Sequence, residues 1–325
     1  MLDEAVKDHK PQNILTTLLI FYVVYFIGQV ISKIILFIPT TIWTLTYDGF
    51  IDAMTEYRKN IMAGNKENTE FMTFINEMSL NIPSWLIAVS VISFVGFLIV
   101  GIYYCLKYEK RNLASLGIRK KHSLKESLLG IFIGAIMISL TVLIGILSGA
   151  VSIKLQSNFD YIILLFLVGF IVQSFSEVVF FFGYLTMSVA RDYKISIAIS
   201  MGAVMFSLLN SNSEDVNYVL LLNTFLFGAI LGIYVFKRGD IWGAFGILAS
   251  WNFIGGNVFG VQNNIKIPSL FVMEQNAEMH LANGANSGIE GGLCTTVVLL
   301  IAFGLVFFLK TKKGEESLSD VENFA

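Results

Sequence analysis

Charge is what this 325-residue chain has least of. Asp, Glu, Lys and Arg together make up 14% of it, against about 25% in an ordinary soluble domain. Apolar residues fill the gap at 55%, and the mean hydropathy is +0.71. A single soluble core cannot hide that much apolar surface. With 22 basic and 24 acidic residues the formal net charge is −2. There is no basic excess to neutralise a phosphate backbone, so no nucleic-acid partner is expected. Cysteine is limited to two residues, Cys105 and Cys294. They are predicted at opposite ends of membrane spans, too far apart to pair, which excludes a disulfide framework or a Cys-rich metal centre. Histidine is limited to His9, His122 and His280, none of them in an apolar run. Zinc peptidase chemistry needs a His-Glu-x-x-His helix or an equivalent, and intramembrane Ser–His chemistry needs a His within a span. Neither pattern is present. Asp160 and Asp240 fall at opposite membrane faces, so paired intramembrane aspartates are excluded as well. No metal and no cofactor is expected.

Long apolar runs take the place of these groups. A spanning helix needs about 20 mostly apolar residues. By that measure about eight spans are predicted, at roughly 14–38, 84–106, 127–150, 161–190, 194–211, 216–236, 240–259 and 292–310. The fold class is therefore an all-α polytopic membrane protein, with membrane lipid as its obligatory surroundings. The high counts of Phe, 28, and Gly, 27, suit closely packed spanning helices. The first run is too long for a cleaved signal peptide, and no small-x-small site follows it.

The connecting loops alternate in charge. Lys107, Lys110, Arg111, Arg119, Lys120, Lys121 and Lys125 follow the second span. Arg191 and Lys194, then Lys237 and Arg238, then Lys310, Lys312 and Lys313 mark three further ends of the same sign. Loops 45–83 and 260–291 are acidic instead. The positive-inside rule predicts cytoplasmic N- and C-termini, with those two loops outside. Within the first outer loop, Ile51, Met54, Ile61 and Met62 recur at helical spacing beside charges, predicting a short amphipathic helix over 48–62 on the membrane surface.

Charged groups inside a span are costly and mark function by default. Glu177 stands about 14 residues from Arg191 and so about 21 Å above the inner boundary, at 1.5 Å per residue. It must face other helices. Asn210 and Asn252 fall at a similar depth on two other spans. Gln173, Ser174, Ser176, Ser250 and Asn257 could extend the cluster. The bland reading of each Asn is helix–helix adhesion, and of Glu177 a neutral acid bonded to a neighbouring helix. Three such groups at one depth predict a shared polar layer.

These segments resemble the CPBP family, which groups type II CAAX prenyl proteases with bacteriocin-processing and immunity-type proteins. That family carries Glu-Glu-x-x-x-Arg-Gly, then Phe-x-x-x-His, then His-x-x-x-Asn, on separate spanning helices. Glu177-Val178-Val179-Phe180-Phe181-Phe182-Gly183 is similar to the first motif. Phe206-Ser207-Leu208-Leu209-Asn210 is similar to the second, and Leu248-Ala249-Ser250-Trp251-Asn252 to the third. Ser115-Leu116-Gly117-Ile118-Arg119-Lys120 and Gly228-Ala229-Ile230-Leu231-Gly232 match the linking text. The resemblance covers about residues 107–310, as a CPBP-type core. It leaves 1–106 as an N-terminal two-helix region with its external loop, and 311–325 as a disordered cytoplasmic tail.

The resemblance implies a water-activating Glu paired with the second-motif His, and an oxyanion held by the third-motif His and Asn. Carried over by position, Glu177 is the retained base and Asn252 the retained oxyanion donor. Asn210 stands in place of one His and Leu248 in place of the other, Val178 replaces the second Glu, and Phe182 replaces the Arg. Gln173, Ser176 and Ser250 are candidate binding residues beside them. The expectation is a catalytically degenerate member in a bacterial plasma membrane. Its partner would be a membrane protein, a lipidated chain or a membrane-active peptide, with bacteriocin immunity as one such role. The alternative is an active glutamate-dependent intramembrane endopeptidase. A transporter would call for more polar groups or broken helices.

Overall fold

The apolar runs become helices because a chain in hydrocarbon must satisfy its backbone internally. The computed structural model describes residues 1–6, 11–63, 69–120, 123–157, 160–210, 217–261 and 267–310. The expected tail 311–325, His9 and His122 lie outside the described residues.

The chain opens with a short helix, α1 (Leu2–Val6), whose Ala5 is buried. The first span, α2 (Ile14–Thr46), starts at Asn13, whose side chain accepts the amide of Leu15 at 3.0 Å as an N-cap. The predicted amphipathic helix is present as α3 (Phe50–Met62). A second helix, α4 (Thr69–Leu80), pairs with it through stacked Tyr57 and Phe71 rings 4.5 Å apart. The second span is in two pieces, α5 (Ser84–Ile92) and α6 (Val95–Lys107). At the break the Ser32 hydroxyl donates to the Ser93 carbonyl at 2.8 Å. Gly96 admits this close approach: a Cβ there would lie 2.8 Å from the Ser32 backbone nitrogen.

The core follows. It comprises α7 (Ser123–Leu147), then a strand β1 (Val151–Leu155), then α8 (Ile163–Glu177). From Val178 to Thr186 the fourth span is π-helical before it ends as α9 (Met187–Ala190). Then come α10 (Ile195–Asn210), α11 (Tyr218–Arg238) and α12 (Trp242–Phe253), the last continuing as a π-helical stretch over Ile254–Phe259. A strand β2 (Phe271–Gln275), a short α13 (His280–Asn283) and α14 (Leu293–Phe307) complete the described chain.

Among the described residues five helical segments are long and apolar enough to cross a membrane: 14–46, 84–107, 123–147, 163–190 and 218–238. Two shorter apolar helices, α10 and α14, coincide with predicted spans. Burial sets the arrangement: α11 is 61% buried over its most apolar stretch and α2 only 22%, so α11 is central and α2 peripheral. α7 and α12 meet through glycine. A Cβ on Gly134 would lie 2.9 Å from the Ile247 Cα, and one on Gly246 would lie 2.8 Å from the Ile131 nitrogen. Small residues of this kind let spanning backbones touch. The two strands were not expected from the sequence. β1 pairs antiparallel with β2, from Val151 opposite Gln275 to Leu155 opposite Phe271, and joins two predicted outer loops.

Candidate intramembrane polar site

Glu177 is the last α-helical residue before the fourth span loosens into its π-helical stretch. Longer i→i+5 turns of this kind recur at functional positions. The side chain of Glu177 is 4% exposed. One helical turn back, Gln173 donates its amide to the carboxyl at 2.9 Å, an i, i+4 contact along the same face. Val178, Val179, Phe180, Phe181 and Phe182 follow, and all are buried. Phe180 and Phe181 meet edge to face at 5.7 Å, and Phe181 meets Phe206 of α10 at 5.4 Å. Hydrocarbon and aromatic rings therefore enclose the acid on its C-terminal side.

Asn252 is the next-to-last residue of α12, with only Phe253 between it and the second π-helical stretch. Its amide lies 3.4 Å from the Ser174 hydroxyl as donor. Ser174 and Glu177 are one turn apart on α8, so Asn252 and Glu177 bracket the same helix face. Asn210 is handled differently. It ends α10, and its amide donates back to the Phe206 carbonyl of its own helix at 3.0 Å. No hydrogen bond between Asn210 and either Glu177 or Asn252 is found among the described residues. Ser176 donates to the Val172 carbonyl at 2.6 Å, and Ser250 to the Gly246 carbonyl at 2.8 Å. Both hydroxyls are thus occupied within their own helices. Asn257 is fully buried and donates to the Pro268 carbonyl at 2.7 Å. The expected layer thus resolves into a Gln173–Glu177 pair and a Ser174–Asn252 bridge, with the other polar groups bonded elsewhere. Leu248, at one motif His position, is 2% exposed.

Two groups that the sequence reading counted only as loop charges reach into the bundle. Arg111 is buried, and its guanidinium donates to the Gly183 carbonyl at 2.7 Å, within the π-helical stretch that Glu177 opens. Glu290, on a short turn Ile289–Gly291, accepts the indole N–H of Trp251 at 2.6 Å, next to Asn252 in the chain. Neither could be found from charge and spacing, because both come from connecting segments far away in sequence. No grouping of three or more metal-ligating side chains occurs among the described residues.

Residues 158–254 match the family model described as Type II CAAX prenyl endopeptidase Rce1-like. That span includes Glu177, Asn210, Leu248 and Asn252. No curated protein matches the chain.

Proposed function

Since residues 158–254 match a Type II CAAX prenyl endopeptidase Rce1-like family model, we propose that the chain is a CPBP-family protein that uses this intramembrane-protease core to bind rather than to cut. The reading is carried by the environment of Glu177: a buried acid whose bonding partner is an amide on its own helix, with no histidine bonded to it among the described residues. Water activation by a carboxylate needs a second group to share the proton. Asn210, at the second-motif His position, commits its amide to its own backbone. Leu248 can neither donate a hydrogen bond nor carry charge, and Val178 cannot accept a proton. Loss of one oxyanion donor alone lowers a rate by on the order of 10²–10³. Losses acting on one transition state accumulate, though not additively.

The ligand would be a membrane protein, a lipidated chain or a membrane-active peptide. Bacteriocin self-immunity is the family role that fits a binder of this kind, by analogy alone. The alternation of loop charge supports cytoplasmic termini. Glu177→Gln in cells is the deciding experiment. Gln keeps the shape of a neutral Glu and most of its hydrogen bonds, so a binder retains its cellular effect at normal membrane abundance. A peptidase loses it, since Gln cannot take a proton from water. Loss of effect at unchanged abundance, together with disappearance of a substrate fragment, would overturn the proposal in favour of glutamate-dependent cleavage.

A further inference from the structure

The inner segment between α6 and α7 reads as a run of cytoplasmic cations, yet Arg111 within it is only 5% exposed. All three guanidinium nitrogens are engaged. Nε donates to the Ser115 hydroxyl at 3.1 Å. One terminal nitrogen donates to the Ser115 carbonyl at 3.1 Å and the Gly183 carbonyl at 2.7 Å. The other reaches the Glu109 carboxylate at 3.1 Å, the Ser188 hydroxyl at 3.0 Å and the Tyr184 carbonyl at 3.4 Å. Glu109 is shared with Arg191 at 2.9 Å, so the buried cation is not left uncompensated.

The acceptors are at a particular place. Gly183 and Tyr184 lie near the end of the π-helical stretch 178–186, where the chain returns to α-helix at Met187. Changing from i→i+5 to i→i+4 bonding leaves carbonyls out of the ladder, and such groups need another donor. Arg111 donates to the Gly183 carbonyl and adds a second donor to the Tyr184 carbonyl, which also accepts the Met187 N–H as the chain returns to α-helix. The Thr186 hydroxyl donates to the Phe181 carbonyl at 3.0 Å. The loop also presses directly on this turn, because a Cβ on Gly183 would lie 2.6 Å from the Leu116 carbonyl oxygen. The stretch so held begins at the residue after Glu177. A one-residue change of helical register rotates everything beyond it by about 100°.

We propose that Arg111 is a positioning residue for Glu177: by holding the exit of the π-helical stretch it fixes the register that sets which way the Glu177 carboxyl faces. This rests on reading Glu177 as the central polar group of the site. It does not depend on whether the site binds or cuts.

The test uses the full chain in lipid nanodiscs, as wild type, Arg111→Met and Arg111→Lys. The infrared carboxyl band of Glu177 is assigned in ¹³C-glutamate-labelled protein by its loss in Glu177→Gln. Amide exchange over 178–186 is followed in parallel. Arg111→Met should displace the Glu177 band and speed exchange in this stretch about tenfold or more, since bonds to charged donors are the stronger ones. Arg111→Lys, with one nitrogen in place of a planar fork, should shift both in the same direction by less. If Arg111→Met does not accumulate, the lysine variant decides alone. A folded variant with lower thermal stability but an unmoved Glu177 band would reduce Arg111 to a merely structural role and overturn the proposal. These readouts do not involve the cellular effect of Glu177→Gln, so the two proposals fail separately.

Discussion

Gly134→Ala adds a single methyl group where α7 crosses α12. That methyl would sit 2.9 Å from the Ile247 Cα, with the Ile247 carbonyl and the Ser250 hydroxyl nearer still. Ordinary contact begins at 3.4 Å and the Ile247 carbonyl oxygen would be at 2.3 Å, so α12 has to retreat by about 1 Å. The obstacle is largely backbone, which no rotamer change relieves. Overpacking of this kind costs about 1–3 kcal/mol, against a gain of about 1 kcal/mol from replacing Gly by Ala within a helix. Gly304→Ala in α14 is the matched control, because a Cβ there meets nothing within 4 Å and only the helix gain remains. The two variants should therefore differ by about 2 kcal/mol, and by about 5 °C in melting temperature. Thermal melts of both in the same lipid or detergent decide it. Because α12 carries Asn252, its retreat should also lengthen the 3.4 Å contact with Ser174. If Gly134→Ala melts as high as Gly304→Ala, the close approach of α7 and α12 is wrong.

Two further outcomes are expected. Glu290 lies outside the spanning segments, and burial raises its carboxyl pKa above the ordinary range, with the Trp251 hydrogen bond opposing the rise. An acid with a raised folded-state pKa stabilises the fold fully below its unfolded value, about 4.3. That stabilisation is lost as pH climbs through the folded value. Melting temperature should fall over that window in wild type, and less so in Glu290→Gln; an equal fall in both would refute the assignment. For topology, Lys120→Cys should resist a membrane-impermeant thiol reagent applied from outside, whereas Leu281→Cys, at an exposed position, should react. Strong outside labelling at position 120 would invert the orientation.

Much of the fold was legible because hydrocarbon imposes a length rule. Each predicted span has a helix at its place, within a few residues at most ends. What the rule does not carry is local backbone variety. The break at Ser93 and Phe94 lies inside an uninterrupted apolar run, and its stabilising bond comes from Ser32, on another helix. The π-helical stretches 178–186 and 254–259 are mostly apolar, as their α-helical neighbours are, so hydropathy does not set them apart. The strands β1 and β2 lie more than a hundred residues apart in sequence, so no short-range turn signal announces their pairing. Arg111 shows the limit of charge counting. A cation beside a span supports orientation on average, but this one is folded inward onto carbonyls of another span.

The polar layer shows why depth alone underdetermines a site. Counting 1.5 Å per residue fixes height along the membrane normal and says nothing of rotation about each helix axis. Glu177 and Ser174 are three residues apart and share a face, so Asn252 can join that face by bonding Ser174. Asn210 matches the others in depth, but its side chain folds back on its own last turn. The replaced motif positions follow the same logic from the apolar side. Val178, Phe182 and Leu248 are each buried in the main hydrophobic cluster, where Phe182 packs on Phe206 at 5.8 Å. A hydrolytic centre at these positions would need water and several proton-sharing groups brought to one point. Here the same positions contribute close-packed side chains that stabilise the bundle, and Glu177 and Asn252 are held by neighbours on α8. Under the binding proposal, close packing at these positions is what a core retained for its shape would show.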